Sequence, residues 1–170
     1  DGYILVPAAQ RGSVDTPANS EHLSFDAVIG HRLGSSGRVF TRGNFFEEFR
    51  HNGTSLQTND THLGEVAVGL DQQFSRGDSL NLRAFAEVQS YNQSFSSIAD
   101  DRMSESLTNL QHVPAQGLGG NVQWSHPIGH SQTLIAGADT QEVLGASQEL
   151  IFSSGSNIAR SVSGGRHRSA

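Results

Sequence analysis

From Leu80 the side chains alternate in chemistry: Leu80, Leu82, Ala84, Ala86 and Val88 share one parity, and Asn81, Arg83, Phe85, Glu87, Gln89 and Tyr91 share the other. Successive strand side chains point to opposite faces, so this two-residue period predicts a strand with one apolar and one wet face. The pattern recurs along the chain. Leu23, Phe25, Ala27 and Ile29 stand against Ser24, Asp26 and Arg32, and Val66, Val68, Leu70 and Phe74 against Glu65, Asp71 and Gln73. Val39, Phe45 and Phe49 oppose Arg38, Arg42, Asn44, Glu48 and Arg50, with Phe40 and Phe46 as apolar exceptions; Leu118, Val122 and Trp124 oppose Asn121 and Gln123; Leu134, Ala136 and Ala138 oppose Asp139.

The fold expected is therefore all-β, with strands near residues 3–7, 21–33, 38–50, 62–75, 79–94, 116–125 and 132–143. Gly34-Ser35-Ser36-Gly37, Arg76-Gly77-Asp78 and His126-Pro127-Ile128-Gly129-His130 carry tight-turn chemistry. The segments 8–20, 52–61, 96–115 and 145 onward read as long loops, so that short and long connections alternate in an antiparallel up-and-down meander. Several strands exceed the usual five or six residues and reach the ~9–11 that cross a bilayer at a tilt. A soluble sheet packed on a core also alternates, but it does not account for this strand length or for the charge placement. Asp26, Arg32, Arg38, Arg42, Glu48, Arg50, Glu65, Asp71, Arg83, Glu87 and Asp139 all fall on the polar parity. Glu47 and Glu142 break parity only near the expected long loops, where a lipid-facing charge costs little. About seven strands of a larger transmembrane β-barrel is the expected architecture.

Composition narrows the function. With no cysteine there is no disulfide scaffold, thiolate metal site or cysteine nucleophile. The formal charge of −6, with every basic residue an arginine, gives no footprint for nucleic acid. No Gly-x-Ser-x-Gly elbow is present, and a Gly-x-x-x-x-Gly-Lys phosphate loop needs a lysine the chain lacks. Gly117-x-Gly119-Gly120 sits inside an alternating strand, away from the strand-to-helix setting of a dinucleotide site. His126 and His130 have zinc-like spacing but bracket a turn and lack a third ligand, so no metal or cofactor is expected. Nothing argues for an enzyme, and no catalytic residue is assigned. The start at Asp1-Gly2-Tyr3 and the polar, glycine-rich end read as cuts in a longer chain.

The stretch Phe40 to Thr61 resembles barrel strands of TonB-dependent outer-membrane receptors. Within it, Arg50-x-Asn52-Gly53-Thr54-x-Leu56-Gln57-x-Asn59-x-Thr61 is similar to a loop of that family's acidobacterial-type members. Ala99-Asp100-Asp101-Arg102-x-Ser104-Glu105-Ser106-Leu107-Thr108 and then Gln111-x-Val113-Pro114-Ala115-Gln116 resemble a following loop and the start of the next strand. The likeness runs in order over roughly residues 20–150. It implies a barrel of about twenty-two strands with a plugged lumen in the bacterial outer membrane, and energised uptake of a scarce solute through the TonB complex. Residues 1–170 would then be a partial barrel domain, with the plug domain outside this chain.

Under that resemblance Asp100, Asp101 and Arg102, with Glu105 nearby, are candidate solute contacts in an extracellular loop. Arg42, Glu48, Arg50, Glu65, Arg83 and Glu87 are expected to face the lumen, pairing across strands or touching the plug or the solute. The partners expected are outer-membrane lipid, the plug, the TonB complex and an unidentified small solute. Two other classes use the same pattern: a non-energised outer-membrane pore or adhesin, and a soluble β-sandwich binding module.

Overall fold

The computed structural model describes residues 2–74, 77–129 and 131–170. Seven strands form one antiparallel up-and-down sheet: β1 (Asn19–Leu33), β2 (Gly37–His51), β3 (Thr58–Gln73), β4 (Ser79–Ile98), β5 (Glu105–Ile128), β6 (Gln132–Ser153) and β7 (Ser156–Ser169). Apart from a 3-10 turn at Ala8–Gln10 the chain is strand and connection. Strands contact only their sequence neighbours, so the sheet is open, with β1 and β7 as its edges.

The ladders confirm the assigned faces. Ala27, Gly43, Val66, Ala86 and Leu118 lie on one cross-strand row, and Asp26, Asn44, Glu65, Glu87 and Gly117 on the next. Since directly paired residues share a face, all eleven charges assigned to the polar parity lie on one side of the sheet. Two expectations are corrected. Residues 3–7 form no strand: Tyr3 makes an isolated bridge to Ala18, and Pro7 leads into the 3-10 turn. The segments 96–115 and 145 onward are mostly strand, and the connections at that end shrink to 52–57, 99–104 and 154–155. Ser154 and Gly155, both at positive φ, close the last as a two-residue hairpin turn. Pro114 removes a ladder donor, and the β5–β6 pairing skips Val113 and Pro114 without losing register. Arg76, His130 and Ser75 of the expected turns and strand lie outside the described residues.

No hydrophobic side chain among the described residues is buried: Ile29 is 79% exposed, Leu118 65% and Phe25 62%. Among the described residues the sheet is a single layer with no core, and no element covers either face. A sheet with an apolar face has to bury it against something.

Candidate functional site

The apolar face is itself divided. From the row of Ala27, Gly43, Val66, Ala86, Leu118 and Glu142 toward the end that carries connections 52–57 and 99–104, the first polar or charged residue is Glu21 in β1, Glu47 in β2, His62 in β3, Ser90 in β4, Gln116 in β5 and Glu142 itself in β6. On the tight-turn side of that line the described strands place no Asp, Glu or Arg on this face, over eleven residues in β1 (Leu23–Leu33) and nine in β4 (Leu80–Val88); His31, Thr41, Gln72, His126 and Thr140 are among its polar residues there, and Asp78 of a turn pairs with His126. Beyond it charge is frequent: Glu47 and Asp60 flank His62, and Glu142 meets Arg166 and Arg168.

The line runs obliquely to the ladders. Glu47, His62 and Ser90 share a row, Glu21 lies two residues further out, and Gln116 and Glu142 lie two and four residues further in. Across five strand-to-strand steps the shift is six residues, or about 20 Å along the strands for about 24 Å across them, an inclination of about 40°. The tight turns slope the same way. Leu33 is level with Trp124, and Ile128, which ends β5, lies four residues beyond it after four steps, giving about 35°. A band perpendicular to a barrel axis crosses tilted strands at this inclination.

On the polar face Arg42 binds Asp26 through Nη2 at 2.7 Å and Nε at 2.8 Å, and Asn44 donates to the same carboxylate oxygen. Arg83 pairs with Asp71 and donates to the Leu70 carbonyl at 3.1 Å, with its guanidinium carbon 4.9 Å from the Phe40 ring centre. Arg50 and Glu48 pair at 2.8 Å along one strand. Glu65 and Glu87 stand directly opposite each other, a like-charge arrangement that costs stability unless a cation lies nearby. The expected lumen residues therefore share the polar face, and Arg42 and Arg83 take diagonal partners, Asp26 and Asp71, which parity put on that face but which were not among the lumen candidates. Glycines make room on this face: a Cβ on Gly119 would lie 2.6 Å from the Phe85 ring.

At the far end residues 2–18 fold across two connections. The Arg102 guanidinium, held at positive φ, forks onto Asp15 with Nε at 2.9 and 3.1 Å from the two oxygens, while Val14 N–H donates to the Arg102 carbonyl at 3.2 Å. Thr16 N–H donates to the Gly53 carbonyl at 2.9 Å. The Asp15 side chain is buried, and its hydrogen bond with Arg102 holds its carboxyl at about 2. Glu105, at the start of β5, accepts from Thr54, Ser55 and the Leu56 N–H of connection 52–57 and from Ser96 of β4. Burial works to raise the Glu105 carboxyl, and these donors outweigh it, so it titrates below the ordinary range. Arg102 is thus engaged within the chain, whereas Asp100 and Asp101 sit exposed in the turn, Asp101 accepting from the Met103 N–H at 3.0 Å. Asp15, 87 residues from Arg102, had no local sequence signal.

Among the described residues no three His, Asp or Glu side chains converge in a metal-holding group, and no helix is long and apolar enough to cross a membrane. Comparison with protein families, with characterised proteins and with solved structures gave no match.

Proposed function

We propose that this chain forms part of the wall of a transmembrane β-barrel in a bacterial outer membrane, within a receptor of the TonB-dependent type that takes up a scarce solute such as a metal chelate, vitamin or oligosaccharide. The observation that carries the membrane reading is the uncharged band on one face. It is nine to eleven residues long in β1 and β4 and inclined about 35–40° to the ladders, in keeping with the ~25 Å apolar belt and 35–45° tilt of outer-membrane barrels. Lipid satisfies no backbone polar group, so β1 and β7 would pair with further strands to close the wall. The polar face would then line the lumen. The connections 52–57 and 99–104 would lie outside the cell. Energised uptake rests on the sequence resemblance; a passive pore or an adhesin would use the same wall.

These 170 residues hold no cysteine, so labels can be placed among them one at a time. With the protein in its native membrane, single cysteines replacing Val66 and Val68 should carry spin labels accessible to oxygen in the lipid. Labels at Ala67 and Glu65 should respond to a water-soluble relaxant. Equal water accessibility at all four positions would overturn the membrane reading. Solute uptake that stops on dissipation of the proton gradient would support the energised receptor, and uptake that continues would favour the passive pore.

A further inference from the structure

The polar face is divided too. Toward the tight turns its side chains meet as ion pairs, Arg42 with Asp26 and Arg83 with Asp71. At the other end β3 and β4 present Asn59, Tyr91, Gln93 and Phe95 on this face, and connection 52–57 adds Asn52 and Gln57. Four of these side chains form a relay. Asn52 Nδ2 donates to Asn59 Oδ1, Asn59 Nδ2 to the Tyr91 hydroxyl, and that hydroxyl to Gln93 Oε1 at 2.9 Å. Among the described residues Asn52 Oδ1 and Gln93 Nε2 meet no protein partner, so an acceptor stands at the start of the relay and a donor at its finish. Beside it lies a hollow of about 370 Å³. Four carboxamides (Asn52, Gln57, Asn59 and Gln93), two serines and Phe95 line it, and none of them is ionisable. Arg50, opposite Asn59 in the ladder, is neutralised by Glu48 at 2.8 Å.

We infer that this hollow binds a neutral sugar unit, and that the solute taken up is an uncharged oligosaccharide. The inference rests on the receptor reading above, which makes this face the lumen wall and places the hollow at its outer mouth. Three observations choose the class. A hydroxyl both donates and accepts, so a polyhydroxylated ring engages carboxamide N–H and C=O groups alike, whereas a solute without hydroxyls would leave them unpaired. The exposed Phe95 ring supplies an apolar surface for the C–H face of a sugar. A charged chelate would find no opposite charge in the lining to replace its hydration. The volume falls in the ~300–1,000 Å³ range of small-molecule sites. Strands β2, β3 and β4 each have both neighbours within the sheet, so strands added at β1 and β7 pair elsewhere.

The test is calorimetric titration of the full-length protein in mild detergent. Maltotetraose, cellotetraose, xylotetraose and mannotetraose serve as neutral probes, and tetragalacturonate and ferric citrate as charged ones. At least one neutral tetrasaccharide should bind, about tenfold or more tighter than either charged probe. Gln93→Glu keeps the shape and the acceptor for Tyr91 but loses the amide donor, and should weaken that binding about five- to tenfold. Phe95→Ala should weaken it by a similar factor, while Asn81→Ala, on the same face of β4 near the tight turns, should leave it unchanged. Should Phe95→Ala fail to assemble, Gln93→Glu tests the hollow by itself. Binding of charged probes alone, no binding of any neutral probe, or unchanged affinity in Gln93→Glu would overturn the sugar site. The barrel wall would still stand if labels at Val66 and Val68 report lipid; labels there that report water would overturn both.

Discussion

Single side chains in this sheet hold what the backbone ladders do not reach. The pair Asp15–Arg102 ties the N-terminal segment to connection 99–104, and its strength depends on an ionised carboxylate. The Asp15 carboxyl is lowered to about 2 in the folded chain from an ordinary 3.8, so the stabilisation is fully present above about pH 4 and is lost as pH falls through about 2. Hydrogen exchange at Val14 and Thr16 should therefore stay slow at pH 5 and speed up between pH 4 and 2, ahead of the strands. In Arg102→Ala the same amides should exchange quickly at every pH. Unchanged protection in that variant would mean that the backbone bonds alone hold the segment. A second prediction concerns the polar face. Gly119 leaves space that the Phe85 ring occupies, with the Thr140 carbonyl oxygen 3.0 Å from a Cβ placed there. Gly119→Val should displace the ring and cost about 1–3 kcal/mol, readable as a lowered urea midpoint; Gly43→Val, where the same Cβ meets nothing within 4 Å, should cost much less.

A strand in this protein has two regimes, and its tolerance to charge should change between them. Val68 and Ala84 are paired in the middle of the uncharged band, whereas Gln89 shares the opposite face with Glu87. If the sheet is the barrel wall proposed above, Val68→Arg and Ala84→Arg should each cost about 2–4 kcal/mol and reduce assembly, with Gln89→Arg near neutral; equal yields of all three in the membrane fraction would contradict the face assignment. The same two regimes explain what the sequence made legible. Within the band one face is apolar and the other polar, and the alternation placed β1 to β6 there with the correct faces. Beyond the band both faces carry polar residues, as at Asn109, Gln111 and His112 or Gln148 and Glu149, so the period fades although the ladder continues. Strand β7 lies wholly in that region, since Arg168 pairs with Glu142, and it gave no alternation to find. Tyr3 to Val6 erred the other way: an apolar run resembled a strand, but only Tyr3 finds a partner. For the charged candidates, parity fixed the face, while partners on a diagonal or 87 residues away depended on register and tertiary folding.

For the whole molecule the decisive fact is one layer with two faces and two open edges. Burying a Leu- or Phe-sized side chain contributes about 1.5–3 kcal/mol, and here Leu23, Phe25, Ile29, Val88 and Leu118 are each more than 60% exposed. In water the sheet forgoes that contribution, while the unpaired N–H and C=O groups along β1 and β7 remain free to recruit other chains. The chain of 170 residues by itself is therefore expected to aggregate in aqueous buffer through both the apolar face and the edges. Detergent should suppress the first route and leave the second. Sedimentation should accordingly show large assemblies in buffer and smaller, still polydisperse ones in detergent micelles. If strands flanking β1 and β7 are supplied in the same polypeptide, the detergent species should become a single size, because closure removes the edges. A discrete, soluble monomer of residues 1–170 in plain buffer would mean that the apolar face finds cover within the chain. The soluble binding module would then replace the barrel wall.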